Sequence, residues 1–283
     1  MPSSRSLLLL HLFSRKSELL SWLSWLVSCL GCGGVFLAAQ SNSAIPAVEK
    51  AEDLFRKSVV AYGGENKVLS LQDGCYDYTV GTAGKPESKP ISMRACFESD
   101  SLFRSEARGE NLEAVTVLNG SRGWVRVGDS TLSLSKKEID PVRISMVVQL
   151  RPDLLLLSFP KRRYSGQAQD EGQTLDLVEV SGYLGGEYVR GRLSFDASSS
   201  LIAKYEYEIE RESAGGKRVV KGEERYLKYG EKEGLKIPLE VLSRQSARSS
   251  RLVIKNVIFN TKLDPALFQE PSSPDSQPLD PKP

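Results

Sequence analysis

An alternation sets the strictest limit on how this chain can fold. Leu201, Ala203, Tyr205, Tyr207 and Ile209 alternate with Ile202, Lys204, Glu206, Glu208 and Glu210. This is the period of two of a strand with one apolar and one mostly charged face. Such a strand belongs in an antiparallel sheet that buries one side and wets the other. It lies within a longer run of the same kind. Strands are predicted at 164–169, 175–180, 187–195, 201–211, 218–229, 237–246 and 252–259, joined by short Gly-, Asp- and Ser-rich turns. Earlier ones are predicted at 75–80, 91–97, 102–107, 114–118, 123–127 and 131–134, with Asn119-Gly120 and Gly128-Asp129 as hairpin turns. Strands joined by local turns make one wide antiparallel sheet, and a sheet this wide tends to curl.

The apolar face needs a cover, and 135–159 is suited to supply it. Ser135 and Glu138 have the spacing of a capping box. Asp140-Pro141 and Arg151-Pro152 each read as a fresh helix start. Ile144, Met146, Val147, Val148 and Leu150, then Leu154 to Leu157 and Phe159, leave little polar face, so the insert should be buried on nearly all sides. A helix over 46–62 should share the task, with Val48, Ala51, Phe55, Val59 and Tyr62 as its apolar stripe. Gly63-Gly64 ends it as a C-cap, and a short turn at 65–71 follows. No strand precedes the glycine pair and no Lys-Ser/Thr follows it, so it is not read as a phosphate loop.

Composition removes several kinds of chemistry. The only histidine is His11, outside the body of the chain. A body without histidine cannot run Ser-His-Asp or Cys-His catalysis and lacks the commonest zinc ligand. No enzyme activity, metal or cofactor is expected. The formal charge of +2 stems from Arg5, Arg15 and Lys16 against Glu18, so beyond residue 44 acidic and basic residues balance. A neutral body is poorly suited to nucleic acid.

Residues 1–44 read as an export segment. A basic leader precedes an uncharged run, 19–39, and small residues cluster at Ala39, Ser41 and Ala44 as cleavage positions. Two alternatives stay open. The run is long enough to remain as a membrane anchor, and Leu26-Val27-Ser28-Cys29 has the form of a lipobox with Cys29 lipidated. Cys29 and Cys32 form a CxxC read as two small apolar residues. Export permits a disulfide. If the loop after 80 is symmetric about Lys85 and Pro86, Cys75 and Cys96 stand directly opposite on paired strands, within bridging distance. The alternative is two unpaired buried thiols. The body is expected to be one domain, 45–270, and the Pro/Ser/Asp-rich tail 271–283 to be disordered.

Several short motifs resemble those of the LolA-like outer-membrane lipoprotein-sorting proteins. They are Val117-Leu118-Asn119-Gly120-Ser121-Arg122-Gly123-Trp124, the upstream Leu102-Phe103-Arg104, and the closing run from Val257-Ile258-Phe259-Asn260 to Leu263-Asp264-Pro265-Ala266-Leu267-Phe268. The order of elements (export segment, long helix, strands, helical plug, strands) agrees as well. The resemblance implies an α+β fold, an unclosed antiparallel β-barrel of about eleven strands, with helices covering the concave face. It implies a periplasmic, non-enzymatic protein that binds a lipid or lipoprotein acyl chain. An envelope protein is a further expected partner, and membrane contact is expected only through the N-terminal segment or peripherally. The carriers usually have Arg-Pro, whose arginine helps control lid closure, where this chain has Ser99-Asp100.

On this reading Met146, Leu155 and Leu156 of the insert, with Val189, Leu193, Phe195, Tyr205, Tyr207 and Ile209 of the late strands, are the candidate lipid-binding residues. For any single one of them the packed-core reading is the favoured one. The competing expectation is a protein-binding or envelope-sensor module whose helices fill the sheet. Lys161-Arg162-Arg163 reads as a headgroup or partner contact, or as a solvated turn. Glu206, Glu208 and Glu210 read as an outer face opposite basic residues of the next strand.

Overall fold

The computed structural model describes residues 46–84, 89–99, 101–213, 216–245 and 248–270. The export segment, its Cys29 and Cys32, the tips at Lys85-Pro86 and Asp100, and the tail from 271 lie outside these residues. Among the described residues, no helix is long and apolar enough to cross a membrane.

The strands are β1 (Asp73–Thr82), β2 (Ile91–Glu98), β3 (Leu102–Gly109), β4 (Leu112–Asn119), β5 (Arg122–Val127) and β6 (Ser130–Ser133). After the helical insert come β7 (Lys161–Asp170), β8 (Gln173–Leu184), β9 (Glu187–Asp196), β10 (Ile202–Ser213), β11 (Gly216–Lys232), β12 (Leu235–Gln245) and β13 (Arg248–Phe259). They form one sheet of thirteen strands in the order β6-β5-β4-β3-β2-β1-β13-β12-β11-β10-β9-β8-β7. Every pairing is antiparallel, and all but one join sequence neighbours. The exception pairs β1 with β13 and welds the two meanders at mid-sheet. The edges, β6 and β7, do not pair, so the barrel is unclosed. The sheet is wider than the eleven strands the resemblance implies.

The chain crosses from one edge to the other through its helices. These are α1 (Ala47–Tyr62) and α2 (Glu65–Ser70) before the sheet, then α3 (Lys136–Leu150) and α4 (Leu155–Ser158) between β6 and β7. A 3-10 turn, Pro152–Leu154, separates the last two. Helix α3 starts where the capping spacing places it. The Glu138 carboxylate accepts from the Ser135 amide at 2.8 Å and from its hydroxyl at 2.7 Å. Pro141 does not begin a new helix, however; it lies inside α3. Its missing N–H and ring would break an exposed helix, but here Ile139, Asp140, Pro141 and Val142 are all buried and the surroundings hold the turn. Arg151-Pro152 does interrupt. There the Arg151 guanidinium donates to Asp153 at 2.7–3.1 Å, a buried forked pair beside the Phe97 ring.

Two details of the apolar pattern differ from the sequence expectation. The buried stripe of α1 is Ala51, Leu54, Phe55, Ser58 and Tyr62, and Val48 is exposed. Val48 stands on the solvent side of the first turn, in which Lys50 lies over the Tyr164 ring of β7. In β10 a register shift at Ala203 turns Ile202 inward, fully buried, and leaves Leu201 only partly covered. A bulge adds one residue and so reverses the phase of the alternation. Beyond it Tyr205, Tyr207 and Ile209 face inward as expected. Glu206, Glu208 and Glu210 meet Lys204, Lys221 and Arg190 on the wet face. Gly63 and Gly64 close α1 at positive φ, their amides donating to Val60 and Val59.

Cys75 and Cys96 are paired across β1 and β2 and form a disulfide with a Cα separation of 4.1 Å.

Candidate functional site

A cavity of about 240 Å³ lies between α3 and the concave face of the sheet. Its floor comes mainly from the first meander: Tyr78 and Val80 of β1, Ile91 and Met93 of β2, Phe103, Ser105 and Ala107 of β3. Leu112, Ala114 and Thr116 of β4 and Val125 of β5 extend it. Side chains two apart on a strand share a face, so β3 and β4 each present a row of three residues. Four of those six are Ser, Ala or Thr. Short side chains on the floor leave the room that the cavity occupies.

The roof is one side of α3. Val142, Met146 and Leu150 stand one turn apart, and Ser145 and Gln149 run beside them. The helix is tied at its middle and near its C-terminal end. Arg143 donates to the Gly120 carbonyl in the β4–β5 turn. Near its C-terminal end the Tyr226 hydroxyl donates to the Val148 carbonyl at 2.6 Å, and Gln149 Nε2 donates to Ser243 Oγ at 3.4 Å.

The remaining wall is polar. It carries Ser243 and Gln245 of β12 and Arg248 and Ser250 of β13, with Leu252 beside them. Behind Ser243 lies Glu224 of β11, fully buried, whose Oε1 accepts from Ser243 Oγ at 2.9 Å. Burial pushes the Glu224 carboxyl well above the usual carboxylate range, opposed by Ser243 and Tyr207. Burial likewise drives the Tyr207 hydroxyl up, with the nearby Glu224 adding to it. Gln245 Nε2 donates to Tyr207 Oη at 3.0 Å. The Tyr207 ring lies across β11 over Gly222, where any Cβ would collide with it.

This arrangement can bury an apolar chain and hydrogen-bond one polar group. Its lining holds no cysteine, histidine or carboxylate. Among the described residues no three or more His, Cys, Asp or Glu gather in a way that would hold a metal ion.

Of the nine candidate lipid-binding residues, Met146 lines this cavity. The other eight lie outside its lining. Leu155, Leu156, Val189, Leu193, Phe195, Tyr205, Tyr207 and Ile209 are brought together in the core beneath α1 and α4, each no more than 3% exposed. Large side chains fill that half. Phe55 of α1 meets Phe195 edge-on at 5.4 Å, Phe159 meets Tyr205 at 5.9 Å, and Tyr205 stacks on Tyr207 at 5.2 Å. Tyr62 and Tyr229 share a 2.7 Å hydrogen bond, and Tyr229 donates on to the Ile202 carbonyl. The floor residues Met93, Ser105, Ala107, Ala114 and Thr116 were not anticipated. For Ser105, Ala107, Ala114 and Thr116 the signal was present as small residues at inward strand positions.

The basic cluster is the start of edge strand β7. Arg162 lies over the Phe55 ring at 4.2 Å and bridges Glu52 at 3.1 Å, and Arg163 pairs with Glu179. It serves to seat α1 on the edge.

Phe103 lies on the cavity floor, but several of the other motif residues behind the resemblance converge on the convex side, away from the cavity. Phe268 is buried there against Val115 and Val117, with Leu102, Trp124, Leu263 and Leu267 around it. Arg104 donates to the Leu267 carbonyl and Asn119 to the Phe268 carbonyl, each at 3.1 Å. Asp73 accepts from the Thr261 and Lys262 amides and so anchors the closing segment. The motifs thus form a clasp that fixes the chain's end to β3–β5.

No sequence-family model matches the chain, and no curated protein matches it. Solved structures do. A DUF1329 family protein from Desulfovibrio piger superposes with a TM-score of 0.50 at 12% identity, over 77% of this chain and 97% of that one. A putative outer membrane lipoprotein-sorting protein domain from Vibrio parahaemolyticus superposes with a TM-score of 0.50 at 10% identity, over 78% of this chain and 96% of that one. At these identities the likeness is one of fold: the chain has the LolA-like architecture of an open antiparallel half-barrel covered by helices.

Proposed function

We propose that this protein is an exported, non-enzymatic carrier or receptor for the acyl chain of a lipid or lipoprotein, acting in envelope lipoprotein sorting. The observation that carries the reading is the apolar cavity between α3 and the floor of β1–β5. Three further points support it. A disulfide suits an oxidising compartment. One chain of similar fold is described as an outer membrane lipoprotein-sorting domain. The cavity lining holds no cysteine, histidine or carboxylate.

The mechanism is burial. Each methylene taken from water contributes about 0.8 kcal/mol. Lifting α3 from the floor would break the Arg143, Gln149 and Tyr226 hydrogen bonds. The test is titration of the delipidated protein with a fluorescent fatty acid, with lipid extraction of the freshly purified protein in parallel. Saturable binding at one site per chain is expected. The absence of both saturable binding and copurifying lipid would sink the reading.

A further inference from the structure

Burial along the cavity floor is graded from one end to the other. Cross-strand pairing sets the inward side chains of β1–β4 in successive ladders. Leu118, Phe103 and Phe97 form the innermost, each no more than 8% exposed. In the next, Tyr76 and Ala95 are buried and Ser105 and Thr116 only half-buried. In the third, Met93, Ala107 and Ala114 are all half-buried beside a buried Tyr78. The outermost is made of two pairs, Val80 with Ile91 and Gly109 with Leu112, which meet at Gly109. Nothing in it is fully buried, and Gly109 is exposed. Leu112 and Leu118 are six residues apart, roughly 20 Å along a strand. The cavity is therefore a deep one, blind at Leu118 and open beside the β3–β4 turn and the end of β1.

The roof and wall divide in the same sense. Their lining residues that reach solvent are Ser145 and Gln149 of α3, Gln245 of β12 and Arg248 of β13, all of them polar. Val142, Met146, Leu150 and Leu252 are buried. An apolar chain gains by lying inside, and a polar head loses least by keeping its water.

Resting on the acyl-chain reading, we propose that the ligand slides in tail first at the Val80–Leu112 end and leaves its head in solvent, with α3 in place. The site takes acyl chains carried on heads too large to enter, an acylated polypeptide among them. The opening already exists, so loading leaves the hydrogen bonds of Arg143, Gln149 and Tyr226 intact.

The experiment follows a fluorescent acyl chain, free and amide-linked to a hydrophilic peptide, by equilibrium titration and stopped-flow mixing with the delipidated protein. The two affinities are expected to agree within about threefold, because neither head enters. Leu112→Trp on the outermost ladder should slow association of both about tenfold or more, with Tm unchanged. Ile91→Trp on the same ladder repeats the test should Leu112→Trp unfold. Tyr226→Phe, which releases the Val148 carbonyl of α3, should leave association unchanged. Three results overturn tail-first entry and leave the acyl-chain reading standing. One is a peptide-linked chain bound about tenfold or more weakly than the free one. The others are a folded Trp variant that associates at the parent's rate, and a Tyr226→Phe variant that associates about threefold faster or more. If neither form of the chain binds, both readings fail.

Discussion

The two halves of the concave face carry the same alternation of apolar and polar residues and differ in what they alternate. On β3 and β4 the inward row includes Ser105, Ala107, Ala114 and Thr116; on β9 and β10 it is Val189, Leu193, Phe195, Tyr205, Tyr207 and Ile209. Helix α1 and the end of α4 press on the large side chains, with close ring contacts from Phe55 and from Phe159 just after α4. One helix, α3, spans the small ones and leaves a cavity. The period of a strand thus decides which residues face inward. Their volume decides whether that interior is core or site. A LolA-like sheet divided in this way has one half that holds the fold together and one half free to hold a ligand.

Substitutions in the two halves should therefore have opposite signatures. Phe195→Ala in the packed half should cost about 3–5 kcal/mol of stability, read by denaturant unfolding, and leave the ligand affinity of the folded fraction unchanged. A loss of affinity without loss of stability would reverse the assignment of the halves. Next in size is the disulfide. Replacing Cys75 and Cys96 together with Ala opens a loop of 21-residue sequence separation and should cost about 3 kcal/mol by loop closure, seen equally as a lower Tm under reducing conditions.

Ala114→Phe in the open half should do the reverse of Phe195→Ala. The ring enters existing space, so stability should change by about 1 kcal/mol or less, while affinity for an acyl-chain probe falls about tenfold or more. A strongly destabilised but ligand-competent Ala114→Phe would show the cavity to be tighter than its lining indicates.

The smallest effect lies at the seam between the halves. Burial holds Glu224 above its usual value near 4.5, so the folded protein retains a proton that the unfolded chain releases. Stability is therefore lost as pH rises from about 4.5 towards the folded value, and below 4.5 both states are protonated and the difference disappears. Glu224→Gln should raise Tm relative to the parent at pH 8, with the gap narrowing towards pH 4. A gap that is constant with pH would mean that Glu224 is not held protonated.

Much of this fold was legible in the sequence because strand period and turn chemistry are local signals. Each of the thirteen strands coincides with an alternating or turn-bounded stretch, and the Cys75–Cys96 pairing follows from hairpin register. The errors have tertiary causes. Val48 fits a helical stripe but is exposed, Ile202 is turned inward by a bulge, and Pro141 is carried through a helix by its buried surroundings. The cavity was harder to place. Large apolar residues such as Phe195 and Tyr205 look like a lipid-binding wall in sequence, and it is their size that removes them from the cavity. Where α1, α3 and α4 land on the sheet is set by contacts distant in the chain, such as Arg162 on Phe55 and Arg143 on Gly120. The small inward residues of β3 and β4 were the readable sign of a vacant half.

The division of the sheet is tested most directly by photo-crosslinking a lipid that carries a diazirine near the end of its acyl chain, with labelled residues located by mass spectrometry. Labels are predicted on Met93, Ala107, Ala114 and Met146, the floor and roof of the cavity. Labels on Leu193, Phe195, Tyr205 or Tyr207 would place the chain in the half described here as closed core and would contradict the account.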